Sequence, residues 1–234
     1  SLADYNGGGG QVVNDATDTH LTLTINPGSG STTFSGTISD SGAAGAISLV
    51  KSGAGTQILA GANTYHGGTE VNEGTLLVNN TTGSGTGSGE VVVNGGTLGG
   101  SGAIAGLVTV NSGALAPGTS PGILTLESGL TMTGGAFAVE LDGLVVGAEY
   151  DQLLVTGGTV NLGEGVASLA LSLGFTPEID DLFWIINNTG EGETIGYFQG
   201  LEEGSRVEMD GGIFRIRYGA DYASGLFVGG NDVL

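Results

Sequence analysis

Two histidines, His20 and His66, and 24 acidic residues are the groups in this 234-residue chain that could move protons or bind a metal. Nothing spaces the histidines as a ligand pair, so a metal site built on them would need carboxylates from elsewhere. Serines abound, but no G-x-S-x-G elbow places one for a Ser-His-Asp arrangement. Three acid pairs stand two residues apart: Glu140 and Asp142, Glu149 and Asp151, Glu191 and Glu193. Each pair would share one face of a strand, as general acid/base work on a polysaccharide requires. Asp180-Asp181 and Glu202-Glu203 are adjacent and would point to opposite faces. A chain this rich in acids produces such pairs by chance. The ending Gly230-Asn231-Asp232-Val233-Leu234 matches half of a calcium-binding nonapeptide, which works only in tandem copies. The expectation is no enzyme and no cofactor beyond non-specific Ca2+ on the acidic surface.

The elements that carry these residues are short. Glycine occurs 49 times and proline 4 times, without a collagen period, while 39% of residues are hydrophobic. That combination describes a turn-rich β protein. Against 24 acids stand only Lys51, Arg206, Arg215 and Arg217, for a net charge of -20. Nucleic acid is excluded as a partner, and an anionic membrane surface repels such a chain. With no cysteine there are no disulfides.

One pattern, V-N-x-G-[TA]-L, occurs at Val71–Leu76, Val93–Leu98 and Val110–Leu115, in steps of 22 and 17 residues. Val ends a strand, Asn and Gly admit the positive φ of a sharp corner, and Thr-Leu begins the next strand. Looser echoes stand at Glu127–Leu130 and Val155–Val160. A corner recurring about every 20 residues predicts an all-β, parallel β-helix, a β-solenoid of roughly nine rungs. Aromatics number three in residues 1–136 and eleven in 137–234, so an aromatic-rich C-terminal cap section is expected. The organisation read from this is an arm with a glycine hinge over 1–19, repeats over 20–139 and a cap section over 140–234. Asp180–Ile186 reads as a buried strand, and Thr81–Gly89 as a corner loop.

The stretch Gly53–Val71, centred on Asn63-Thr64-Tyr65-His66-Gly67-Gly68-Thr69, resembles the autotransporter-associated β-strand repeat, or passenger-associated transport repeat. Its pattern is G-x-G-T-L-x-L-x-G-x-N-T-Y-x-G-G-T-x-V, from which Gln57 and Ile58 depart mildly. Ala116–Gly122, Tyr150–Gly157, Phe198–Gly204 and Gly230–Leu234 resemble four further elements of such passengers, in the family's order. The resemblance implies a right-handed parallel β-helix in a secreted protein of the bacterial surface, and it transfers no catalytic residue. It makes Asn63, Thr64, Tyr65, Gly67 and Gly68 a structural corner. Solenoid ends are open β-edges. Tyr5, Val12 and Val13 are the residues expected to pair with a neighbouring molecule, giving a homo-oligomer or polymer. The function expected is a surface fibre, stalk or matrix. An adhesin touching host or carbohydrate surfaces is the alternative, and a polysaccharide-active enzyme the third.

Overall fold

The computed structural model describes residues 2–4, 8–209 and 212–234. The chain opens with β1 (Gln11–Asn14), β2 (Leu21–Ile25), β3 (Ser31–Phe34) and β4 (Thr37–Asp40). After a 3-10 turn at Ala43–Gly45 come β5 (Ile47–Lys51), β6 (Thr56–Leu59), β7 (Thr69–Val71) and β8 (Thr75–Val78). The middle holds β9 (Val91–Val93), β10 (Thr97–Gly100), β11 (Ala103–Ile104), β12 (Val108–Val110), β13 (Ala114–Pro117) and β14 (Ile123–Leu126). Then follow β15 (Leu130–Met132), β16 (Ala136–Leu141), β17 (Gln152–Val155), β18 (Val160–Glu164) and β19 (Ser168–Leu173). The chain closes with β20 (Ile186–Asn188), β21 (Thr194–Tyr197), β22 (Arg206–Met209) and β23 (Gly212–Arg215).

These strands wind into the expected right-handed parallel β-helix. Its first face is the eight-stranded stack β2-β5-β7-β9-β12-β15-β18-β21, and its second the seven-stranded stack β3-β6-β8-β10-β13-β16-β19. The third face begins as β1-β4 and ends as β11-β14-β17-β20. Between them the chain crosses without regular strands, yet the ladder holds: Thr64 N donates to Ile38 O, Asn63 N to Ser84 O and Gly85 N to Ala103 O. The segment expected to be a corner loop, Thr81–Gly89, therefore carries one level of the third face. The eight strands of the first face set the length at about 34 Å, at ~4.8 Å per step. That is slightly shorter than the nine rungs expected, because the coils lengthen late to accommodate the segments 142–150 and 174–185.

The corner motif stacks as its spacing requires. Val71, Val93 and Val110 are Cα partners, as are Leu76, Leu98 and Leu115. All six side chains are buried, each worth about 1.5–3 kcal/mol relative to exposure. The fourth copy is Met132–Phe137, in register with Val110–Leu115. The echoes at Glu127–Leu130 and Val155–Val160 belong to a different corner, between the third and first faces. Asparagine also has another role than expected. Glycine alone takes positive φ here: Gly74, Gly96, Gly113 and Gly135 lie at 65 to 79°. A Cβ on Gly96 would stand 2.4 Å from Gly74 O. The asparagines instead bond to one another: Asn94 Nδ2 to Asn72 Oδ1 at 3.2 Å, and Asn111 Nδ2 to Asn94 Oδ1 at 3.0 Å. Thr133 Oγ1 continues the row onto Asn111 Oδ1.

The two ends differ. At the start, β1 pairs in parallel with β4 of the same chain, Val12 opposite Ile38 and Val13 opposite Ser39. Val12 is half-buried and Val13 is 49% exposed. Tyr5 lies outside the described residues. Beside them Leu2–Asp4 covers the outer edge of β3, with Asp4 N donating to Thr33 O. At the other end the coil continues through β16, which spans 139/140, as far as β21. A hairpin of β22 and β23 follows. Aromatic pairs hold this end: Phe137 stacks on Phe198 at 5.9 Å, and Phe183 meets Tyr150, Phe175 and Phe214 edge-on. The strand expected at Asp180–Ile186 begins only at Ile186. Phe183, Trp184 and Ile185 are buried as expected, but Asp180 takes φ 77° and turns the chain.

Candidate functional site

The Asn63–Gly68 corner is built on two buried side chains, Asn63 and Tyr65, with Thr64 and His66 exposed between and beside them. Asn63 Oδ1 accepts Ile38 N at 2.7 Å, and Nδ2 donates to Gly85 O at 2.6 Å, so one amide ties three levels of the third face. Tyr65 is fully buried, with its hydroxyl 2.6 Å from Thr69 Oγ1. Burial holds that phenol above its usual range, against the pull of the Thr69 bond. Gly67 and Gly68 sit where a side chain would strike Ile47 O or Glu90 O.

His66 points outward from this corner. Its Nδ1 lies 2.6 Å from Asp40 Oδ1, and its backbone N–H donates to Asp40 Oδ2. Burial opposes ionisation of Asp40. The N–H groups of Ile47, His66 and Gly42 and the His66 ring outweigh it and hold the carboxyl at about 2. Among the described residues no hydroxyl is hydrogen-bonded to the His66 ring, so the pair staples two coils together. His20 is exposed on the turn before β2.

Two polar residues in the interior escaped the sequence reading. Lys51 stacks between Ile25 and Val71 and is fully buried. Its Nζ donates to Ser52 O, Gly53 O and Glu73 O at 3.0, 2.7 and 2.8 Å, using all three donors on corner carbonyls. Burial pulls its pKa down, and the Glu73 carboxylate opposes that. Gln57 stacks on Leu76, and its amide grips both backbone groups of Leu2, at 3.1 and 2.9 Å. Aligning Lys51-Ser52-Gly53 with Val71-Asn72-Glu73 one coil later would have placed Lys51 inside.

The acid pairs resolve into different tasks. Asp151 is buried; Gly122 N donates to its Oδ1 and Glu140 N to its Oδ2, both at 2.8 Å. It thereby ties the Ala116–Gly122 element to the Tyr150–Gly157 element. Burial pushes its carboxyl up to about 6 despite those two N–H bonds, with Glu140 and Asp142 adding repulsion. Glu149 accepts the N–H groups of Leu144 and Val145 and closes its own loop. Glu140, Asp142, Asp180, Glu191 and Glu193 are exposed, and Asp181 is half-buried. Asp232 receives Asn188 N and Tyr222 N on its two oxygens, so the Gly230–Leu234 ending anchors the tail onto β20.

A concavity of about 750 Å3 lies over β19 at the C-terminal end. Leu169 and Leu171 floor it, and Val207, Ile213 and Phe214 of the hairpin roof it. Arg206, Arg215 and Arg217, all the arginines of the chain, line it. Arg217 pairs with Glu203 at 2.9 Å, and Arg215 Nη1 donates to Gly204 O. Leu226, Phe227 and Val228 are exposed nearby, at 57, 50 and 71%.

Residues 49–78 match the passenger-associated transport repeat family, which locates the repeat on β5 to β8. The chain is also similar to the adhesin BmaC autotransporter of Brucella suis biovar 1 (strain 1330), at 42% identity over 77 residues. That stretch is 32% of this chain and 2% of the relative, so the chain corresponds to a small fraction of that protein's length.

Proposed function

We propose that this chain is a non-enzymatic, secreted passenger segment displayed at the bacterial surface, a stiff β-helical rod that associates end to end into a fibre or stalk. The passenger-repeat match and the similarity to an autotransporter adhesin support the surface placement. The observation that supports the structural role is the continuous first face, β2 to β21, over one contiguous hydrophobic cluster into which Lys51 and Thr69 intrude on that face. Its motif residues are spent on holding coils together. The -20 charge keeps the rods apart laterally, which favours contact at the bare strand edges of the ends. Calcium is read as a diffuse counterion of this coat. Negative-stain microscopy of the purified chain, with and without calcium, tests the reading. The expected result is filaments with an axial repeat near 34–40 Å, the length of the strand stack. Single short rods under both conditions would overturn end-to-end association and leave the rod as a spacer within a longer passenger. Adhesion is the second reading, supported by the BmaC match; saturable binding of the labelled chain to host cells or immobilised glycans would establish it.

A further inference from the structure

The exposed corner of the V-N-x-G-[TA]-L repeats holds a side chain that is chemically fragile in water. Asn94 is followed by Gly95. Before glycine, the next backbone nitrogen reaches an asparagine side chain most freely, because no Cβ stands in its way. Asn72 and Asn111, its neighbours in the amide row, precede Glu73 and Ser112. The reaction needs only water. Gly95 N, deprotonated, attacks Asn94 Cγ, the Cγ–Nδ2 bond breaks, and ammonia leaves with the proton. Water then opens the five-membered imide to aspartate or isoaspartate, adding one negative charge.

The coil does not admit a safer residue at 95. A Cβ there would stand 2.5 Å from Asn72 O of the preceding coil. Instead the fold occupies each atom that the reaction uses. Gly95 N donates to Val71 O at 3.2 Å, an acceptor it shares with Asn94 N at 2.9 Å. Asn94 Nδ2, the leaving group, donates to Asn72 Oδ1 at 3.2 Å, and Asn94 Oδ1 accepts Asn111 Nδ2 at 3.0 Å. Ser112 Oγ donates to Asn94 O. Asn94 is thus tied to the coils on both sides while it stays exposed to water.

We propose that Asn94–Gly95 is a deamidation site of this chain, and that the amide row keeps it closed in the folded rod. The product does not fit back. Aspartate at 94 lacks the donor that faced Asn72 Oδ1 and sets a carboxylate against that acceptor. Isoaspartate adds a backbone carbon to a corner where a Cβ on Gly96 would already stand 2.4 Å from Gly74 O. A chain that deamidates while unfolded therefore cannot rebuild this corner. The amides of the row protect the covalent structure as well as the register, and this holds whether or not the rods associate.

The test incubates the full chain, folded and in urea, at mildly alkaline pH. Peptide mapping follows the amide-to-acid mass gain and the isoaspartate at Asn94. It separates this site from Asn6-Gly7, the other Asn-Gly pair, which lies outside the described residues. Urea should accelerate conversion at Asn94 at least roughly tenfold, because the folded chain reacts only through an opened corner. In the folded chain Asn72→Ala should accelerate it roughly fivefold, the share of one net hydrogen bond. Asn72→Asp, whose carboxylate still accepts Asn94 Nδ2, should hold the parent rate. Leu153→Ala, a core truncation in β17 on the third face, should stay within roughly twofold of it. Circular dichroism establishes that each variant folds; if Asn72→Ala does not, Asn111→Ala, which frees Asn94 Oδ1, replaces it with the same expectation. Equal rates in the folded chain and in urea overturn the proposal. So does a rate unmoved by the alanine variant, or Asn72→Asp reacting as fast as Asn72→Ala. A rate raised as much by Leu153→Ala assigns the protection to global stability and overturns the role of the amide row.

Discussion

The middle coils and the section after Tyr197 close the same core by opposite means. From β7 to β13 each coil repeats the one before: valine on valine, leucine on leucine, asparagine amide on asparagine amide. Identical neighbours make every contact a copy of the last, so a short motif suffices. After Tyr197 the described residues form no further coil to copy. There the chain uses large rings, an antiparallel hairpin and long-range polar ties such as Tyr218 Oη to Leu201 O. Periodic contact is economical in sequence and needs neighbours. Terminal contact is irregular and needs aromatic area, which is why rings concentrate where the period ends.

Breaking a middle coil has the largest expected effect. Leu98→Ala opens a void between Leu76 and Leu115 and should cost about 2–5 kcal/mol. Ile213→Ala, on the 59%-exposed face of the hairpin, should stay within about 0.5 kcal/mol. Urea unfolding of both variants measures the contrast, and equal losses would erase the distinction between the regions. Lys51→Met comes next. It keeps the apolar stem but strands three corner carbonyls, at a cost of about 2–3 kcal/mol. A variant as stable as the parent would show that water takes over those carbonyls.

Asn94→Ala removes the centre of the amide row and should cost about 1 kcal/mol. Its loss should exceed that of Asn231→Ala at the tail if ladders reinforce their members. The smallest effect is in pH. Asp40 has its carboxyl held near 2, below the ordinary 3.8. Its contribution to stability is therefore complete above about pH 4 and lost as pH falls through 2. Asp40→Asn should flatten the unfolding midpoint over that window. Asp151 runs the other way. Raised to about 6, it favours the folded state most below about pH 4, and that advantage fades as pH rises through 6. Its carboxyl carbon should titrate near 6 by NMR, and a midpoint near 4 would mean that water reaches it.

The middle of the fold was legible because its side chains repeat: V-N-x-G-[TA]-L gave the register of Val71, Val93 and Val110 directly. The roles of its polar members were not legible. Asn72 and Asn94 are compatible with positive φ, yet only a neighbouring coil shows that their amides prefer each other. Lys51 and Gln57 occupy leucine-type slots, and charge or polarity hid them until three carbonyls and the Leu2 backbone were seen around them. The Ala116–Gly122 and Tyr150–Gly157 elements could be recognised separately. Their joining through Asp151 spans 29 residues and depends on where the coil returns. The unpaired outer edge of β19 leaves no trace in composition, because it is set by which of three faces runs out of strand first.

The hydrogen bonds between coils lie along the axis of the rod. Tension applied end to end thus loads them in line, and the corner amides share that load. A coil that lets go releases its full contour. For the 22 residues from Val71 to Val93 that is about 75 Å of slack, against a rise of ~4.8 Å while folded. Such a rod is stiff up to a threshold and then lengthens in discrete steps, a shock absorber whose increments are written in the spacing of its corner glycines.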